Sequence, residues 1–117
     1  MLIAQITDFH VGRIIETDSG SIDLFERLEF TVHHLENLIP KPDLVIVSGD
    51  ISNHGNTEDY KRSRILLDKM DIPYLVMPGN HDSREKLRDI FGDQGYLPQQ
   101  GEYLQYTFED LPLRLVM

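Results

Sequence analysis

Four consecutive apolar residues, Leu44-Val45-Ile46-Val47, run straight into Ser48-Gly49-Asp50. Such a run has no solvent-facing side, so it suits a strand buried on both faces, as in a parallel sheet covered by helices. Similar patterns flank it. Leu2 to Thr7 is a short, largely apolar run that leads into Asp8-Phe9-His10, and Tyr74 to Met77 leads into Pro78-Gly79-Asn80-His81-Asp82-Ser83. Each predicted strand therefore ends in a turn bearing carboxylate, imidazole or amide groups. In open α/β sheets the carboxyl edge of the strands is where ligands bind.

The intervening segments read as helices. Phe25, Leu28, Val32, Leu35 and Ile39 recur at helical spacing behind Ser21, a predicted N-cap, with Asp23 near the positive end of the helix dipole. Pro40 and Pro42 stop that helix, and Val11 to Gly20 before it reads as a loop. Thr57 is placed to cap a second helix whose buried side is Tyr60, Leu67 and Met70, and Ser83 a third that carries Leu87, Ile90 and Phe91. Past Gly92 the pattern changes. Leu104, Tyr106 and Phe108, then Leu111, Leu113 and Leu115, alternate with polar residues around Glu109-Asp110, which predicts an antiparallel hairpin with Tyr103, Tyr106 and Phe108 in the core.

The expected order is thus β-α-β-α-β-α followed by a β-hairpin, an α/β fold in a single domain over residues 1–117. Because Leu115-Val116-Met117 lies inside an apolar run, that domain is expected to be truncated at its C-terminus. A sheet short of strands exposes apolar edges, which makes pairing into a homo-oligomer an expectation too.

Eleven basic residues stand against 20 acidic ones, a formal charge of -9, which argues against a nucleic-acid partner. A phosphate-bearing substrate stays compatible, because bound cations reverse the local field. The absence of cysteine excludes disulfides and thiolate ligands. With no basic leader and no apolar stretch long enough for a bilayer, a cytoplasmic protein without a membrane partner is expected.

Parallel neighbours bring their C-terminal ends to one edge, so residues distant in sequence converge there. Asp8 and His10 are two apart, which in extended backbone puts both on one face, in reach of a single ion. Gly49 lets the chain turn just before Asp50, whose two oxygens can bridge two cations, and Asn80 offers a neutral carbonyl oxygen. The expected site is therefore a pair of divalent ions held by Asp8, His10, Asp50 and Asn80. Two such ions, ~3.5–4 Å apart, clamp an in-line displacement at phosphorus. His81 is the expected catalytic residue, donating to a phosphoryl oxygen or the leaving alkoxide. Asp82 is expected to orient a ligand from behind, and Asn53 to brace its loop. The plain reading is preferred for His33 and His34 (helix surface), for His54 (exposed), and for the Glu58-Asp59 and Arg84-Glu85-Lys86 clusters (solvated faces).

Taken together, Asp8-Phe9-His10, Gly49-Asp50-Ile51-Ser52-Asn53-His54-Gly55 and Gly79-Asn80-His81-Asp82 resemble the first three motifs of the calcineurin-like metallophosphoesterases. The spacing is most similar to the branch of cyclic-nucleotide phosphodiesterases and glycerophosphodiesterases. The resemblance implies the N-terminal half of a four-layer αββα sandwich that hydrolyses a small soluble phosphodiester with two divalent ions of iron, manganese, zinc or cobalt. It also implies roles: Asp8 and His10 on the first ion, Asp50 bridging, Asn80 on the second, and His81 against the substrate. Later motifs of that family supply further histidines, and this sequence has none after His81. The ligand set is therefore expected to be incomplete and this chain inactive alone. The alternative expectation is a noncatalytic interaction module on the same fold.

Overall fold

The computed structural model describes all of residues 1–117. Strand β1 (Ile3–Ile6) is followed by a hairpin, β2 (Ile14–Thr17) and β3 (Gly20–Asp23), and then by α1 (Leu24–Glu36). Next come β4 (Leu44–Val47), α2 (Thr57–Leu67), β5 (Tyr74–Val76) and α3 (Arg84–Phe91). A 3-10 turn at Gly92–Gln94 precedes a short hairpin of β6 (Thr107–Phe108) and β7 (Leu115–Val116).

Strands β1, β4 and β5 form one parallel sheet in that spatial order, with Ile3 opposite Leu44, Ile6 opposite Val47 and Val47 opposite Val76. The apolar run of β4 lies in the middle, its Leu44, Val45 and Val47 buried as a two-faced strand requires. Leu28, Val32 and Leu35 of α1, Tyr60, Leu66 and Leu67 of α2, and Leu87 and Phe91 of α3 close over it in one core. All three strands run the same way, so the turns after β1, β4 and β5 share one edge. The expected α/β order holds.

Several expectations are corrected. Val11 to Gly20 is not a plain loop, because Ile14–Thr17 pairs with Gly20–Asp23, Ile15 opposite Ile22. The turn is closed by Thr17, whose hydroxyl donates to the Gly20 carbonyl at 2.7 Å. Ser21 consequently lies in a strand, and Asp23 caps α1 instead, its carboxylate accepting from Phe25 N–H at 2.9 Å. Ile39 drops out of the apolar stripe. The helix ends at Glu36, the stripe stops at Leu35, and Ile39 is 96% exposed on the connection that follows. Asn56, not Thr57, occupies the cap position of α2, while Ser83 caps α3 as expected by accepting from Lys86 N–H. The final hairpin is short, pairing Thr107 with Val116 and Phe108 with Leu115, and Tyr106 with Met117 through two backbone hydrogen bonds. Tyr103 is exposed rather than core, with the Arg84 guanidinium over its ring.

The segment from Tyr96 onward fastens to the outer edge of β5. Val76 N–H donates to the Tyr96 hydroxyl at 3.0 Å, and the Tyr106 hydroxyl donates to the Val76 carbonyl at 2.6 Å. Arg88 of α3 donates to the carbonyls of Pro98, Gly101 and Tyr103, and Arg84 to that of Glu102. No helix is long and apolar enough to cross a membrane.

Candidate metal centre

Backbone pairing between β1 and β4 continues past their ends. Asp8 N–H donates to Gly49 O at 3.1 Å, His10 N–H to Asp50 O at 2.9 Å and Val11 N–H to Ile51 O at 2.9 Å, and Asn53 N–H returns to Val11 O at 3.0 Å. The Asp8-His10 segment is thus zipped to the Asp50 loop. Phe9 and Val11 are buried in the core between and beyond the two polar residues, which anchors the segment and leaves Asp8 and His10 on the outer side.

This segment is not extended, as its spacing led us to expect. Asp8, His10 and Asp50 have φ of 60°, 44° and 51°, and no other non-glycine residue in the chain has positive φ. A side chain in that left-handed region costs on the order of 1–3 kcal/mol, so it persists only where surrounding contacts over-determine it. Here the ladder between the two loops does so. All three strained positions belong to the same cluster.

Within it, His10 Nε2 stands 3.6 Å from Asp8 Oδ1 and 3.7 Å from Asp50 Oδ2. The His81 ring meets the His10 ring edge-on, centroids 4.8 Å apart. One ligand atom each from His10, Asp50 and His81 lies within 4.8 Å of the others. Asp50 Oδ1 accepts the His81 backbone N–H at 2.9 Å, so its other oxygen is the one turned to His10. His81 Nδ1 lies 2.8 Å from the Asn53 carbonyl. A carbonyl can only accept, so Nδ1 carries a proton, and in the neutral ring the lone pair is then on Nε2. Asp8 is 60% exposed, and Asn80 is exposed on the turn just before His81, where it lines a cavity of about 480 Å³ with Met77, Arg84, Tyr103 and Gln105.

These residues fit a cation. The His10 to carboxylate separations are too long for hydrogen bonds. They are close to the roughly 3.4 Å expected between two donors that each sit ~2.1 Å from one tetrahedral ion. His10 Nδ1 is buried without a partner, so no hydrogen bond accounts for the ring's placement. Imidazole and carboxylate donors without sulfur suit manganese, iron, zinc or cobalt.

Asp82 holds the two remaining turns together. Its Oδ2 accepts Gly79 N–H at 2.9 Å and Ile51 N–H at 3.2 Å, and its Oδ1 accepts Ser52 N–H at 3.1 Å and the Tyr60 hydroxyl at 3.0 Å. Glycine is required where these turns touch. A Cβ on Gly79 would lie 2.1 Å from Asp50 Oδ1 and 2.4 Å from Asp50 N, and one on Gly49 would lie 2.6 Å from Gly79 N. Asn53 braces its loop through its backbone, at Val11 and His81, while its side chain meets His54 Nε2 at 2.9 Å. Two supports escaped the sequence reading. Asp59 is not solvated but 7% exposed, accepting from the Ser52 hydroxyl at 2.8 Å, and Tyr60 reaches Asp82 from α2. Lys86 is also engaged, donating to Gly55 O at 2.7 Å.

The family model for calcineurin-like phosphoesterases matches residues 1–116. The chain is 34% identical over 116 residues to a probable glycerophosphodiester phosphodiesterase of Arcobacter nitrofigilis, covering 99% of this chain and 42% of the relative. It is 36% identical over 120 residues to a glycerophosphodiester phosphodiesterase of Enterobacter lignolyticus, with the same coverage of 99% and 42%. It is 30% identical over 88 residues to a 3',5'-cyclic adenosine monophosphate phosphodiesterase of Pseudomonas aeruginosa, covering 75% of this chain and 32% of the relative. The chain spans about two fifths of the length of the first two relatives, at 42% of each. Its parallel sheet and alternating helices are consistent with the N-terminal half of the metallophosphoesterase fold. With the family match running nearly end to end over a rim of acid and imidazole donors, the chain belongs to the calcineurin-like phosphoesterases.

Proposed function

We propose that this chain supplies the N-terminal part of a two-ion centre that hydrolyses a small phosphodiester, with Asp8, His10, Asp50 and Asn80 as ligands. The observation that carries this reading is the approach of His10 Nε2 to the carboxylates of both Asp8 and Asp50, with His81 across from it. Bound there, divalent ions would act as Lewis acids on the phosphoryl oxygens. Asp50 accepts the His81 backbone N–H with one oxygen, and both of its oxygens keep lone pairs with which they could hold ions. His81, with its Nδ1 proton committed to Asn53 O, directs Nε2 to the rim. A proton taken up at Nε2 is in place to pass to the leaving alkoxide. The names of the relatives support a glycerophosphodiester or a cyclic nucleotide as substrate.

Three ligands on the first ion (Asp8, His10, Asp50) and two on the second (Asp50, Asn80) leave both incompletely held, which favours low activity for this chain alone. That proposed shortage is also what favours the second reading, a noncatalytic interaction module. Titrating manganese, zinc, iron or cobalt while following hydrolysis of bis(p-nitrophenyl) phosphate separates the two. We expect weak, metal-dependent turnover that Asp50→Asn abolishes. Metal uptake without turnover favours the module, and no uptake of any ion overturns the reading of the rim.

A further inference from the structure

Tyr60 plays no part in the chemistry above, yet it is fully buried and its hydroxyl ends directly behind the rim. It donates to Asp82 Oδ1 at 3.0 Å and accepts from Ser83 N–H at 2.8 Å. The same carboxylate gathers Ile51 N–H and Ser52 N–H, just after Asp50, and Gly79 N–H, just before Asn80. A helix and two ligand-bearing turns therefore meet at one side chain. A ring buried for packing alone needs no hydroxyl, and a buried hydroxyl must be partnered. Both hydrogen bonds of this one are spent on the Asp82-Ser83 step.

We propose that Tyr60 is a positioning residue of the metal centre: by tying Asp82 and Ser83 to α2, it sets the spacing between the Asp50 loop and the Asn80-His81 turn. That spacing fixes the His81 N–H on Asp50 Oδ1 and the His81 ring on Asn53 O. Burial pushes the Tyr60 phenol well above its ordinary value, so it remains a neutral donor near neutral pH. Tyr74 offers the contrast. It too is buried, but its hydroxyl donates to Asp68, at the far end of α2 from the rim. The inference rests on the rim being a metal centre.

The test uses Tyr60→Phe and Tyr74→Phe, each removing one oxygen and keeping the ring. Cobalt is titrated into each folded chain and followed by its visible d–d spectrum, and the His81 imidazole of the metal-free chain is read by long-range 1H–15N NMR. Losing a group that orients a ligand typically weakens metal binding by about tenfold or more, and we expect that of Tyr60→Phe, with less than about a twofold change for Tyr74→Phe. His81 is expected to move from the pure Nδ1–H tautomer to a mixture in Tyr60→Phe alone. In an Asp82→Asn background Tyr60→Phe is expected to add little, as two members of one network should. A folded Tyr60→Phe with unchanged cobalt affinity and an unchanged His81 spectrum overturns the proposal. A chain that takes up no cobalt overturns the reading of the rim, and the metal-free His81 spectrum still decides the role of Tyr60. Should Tyr60→Phe not fold, 19F NMR of the chain labelled with 3-fluorotyrosine replaces it: the Tyr60 signal shifting on zinc addition while Tyr74 stays put supports the role, and a still Tyr60 signal overturns it.

Discussion

The rim around His10 and the tail from Tyr96 to Met117 both lie outside regular structure for most of their length, yet they are held in opposite ways. At the rim, backbone pairs with backbone beyond the strand ends, and one carboxylate, Asp82, collects four donors. The turns there approach so closely that Gly49 and Gly79 have no room for a Cβ. The tail pairs only three residues with three in its hairpin, and is held to β5 by tyrosine hydroxyls and to α3 by two arginines. Leu113 and Val116 remain exposed on it. The difference is one of redundancy. The rim can hold Asp8, His10 and Asp50 in left-handed backbone because no single bond is alone in restraining them.

That contrast breaks first at Gly79. Gly79→Ala would put a methyl into the carboxylate and amide of Asp50, and we expect a loss of about 3 kcal/mol or more by urea denaturation, together with loss of metal uptake. A mild effect would mean that the two turns are less tightly apposed than their geometry implies. Asp82→Ala is next. It leaves three backbone N–H groups and the Tyr60 hydroxyl without their acceptor, at a cost of about 3 kcal/mol, again read from denaturant midpoints.

The tail is predicted to respond to alkali. Burial raises the Tyr96 phenol to about 12, and burial also pushes Tyr106 up. An unfolded tyrosine ionises near pH ~10, so the folded state resists losing these protons. Their contribution is fully present below pH ~10 and is lost as the pH rises from there, through about 12 for Tyr96 and further for Tyr106. Absorbance at 295 nm should therefore show the ionisation of these two phenols, like that of the buried Tyr60 and Tyr74, delayed beyond pH ~10. Its onset should coincide with loss of amide protection in residues 104–117. The smallest effect is expected from Tyr106→Phe, which removes one hydrogen bond to the Val76 carbonyl for about 1 kcal/mol. Hydrogen exchange should then quicken in the tail and leave residues 49–55 unchanged. Equal quickening in both would show that the rim depends on the tail.

The sheet was legible because β4 is apolar on both faces and its neighbours end in similar polar turns. The hairpin Ile14–Asp23 was hidden by its composition, since its strands carry few apolar residues and β2 is exposed throughout. Its signal was present in Asp18-Ser19-Gly20, a turn sequence flanked by Ile14-Ile15 and Ile22. Ile39 misled because spacing alone does not say where a helix stops. Asp59 could not be read as buried, because the hydroxyl that satisfies it belongs to Ser52, seven residues earlier in a loop. At the rim the residue types were readable, but the route by which Asp8 and His10 converge was not. Period-two alternation assumes extended backbone, and these positions use left-handed turns.

The two phenols on Val76 have a consequence for how the sheet can grow. They occupy the N–H and the C=O with which β5 would otherwise recruit another strand, so docking on that side must first evict both aromatic rings. The parallel sheet is left asymmetric: stoppered along β5, and open to further pairing along β1.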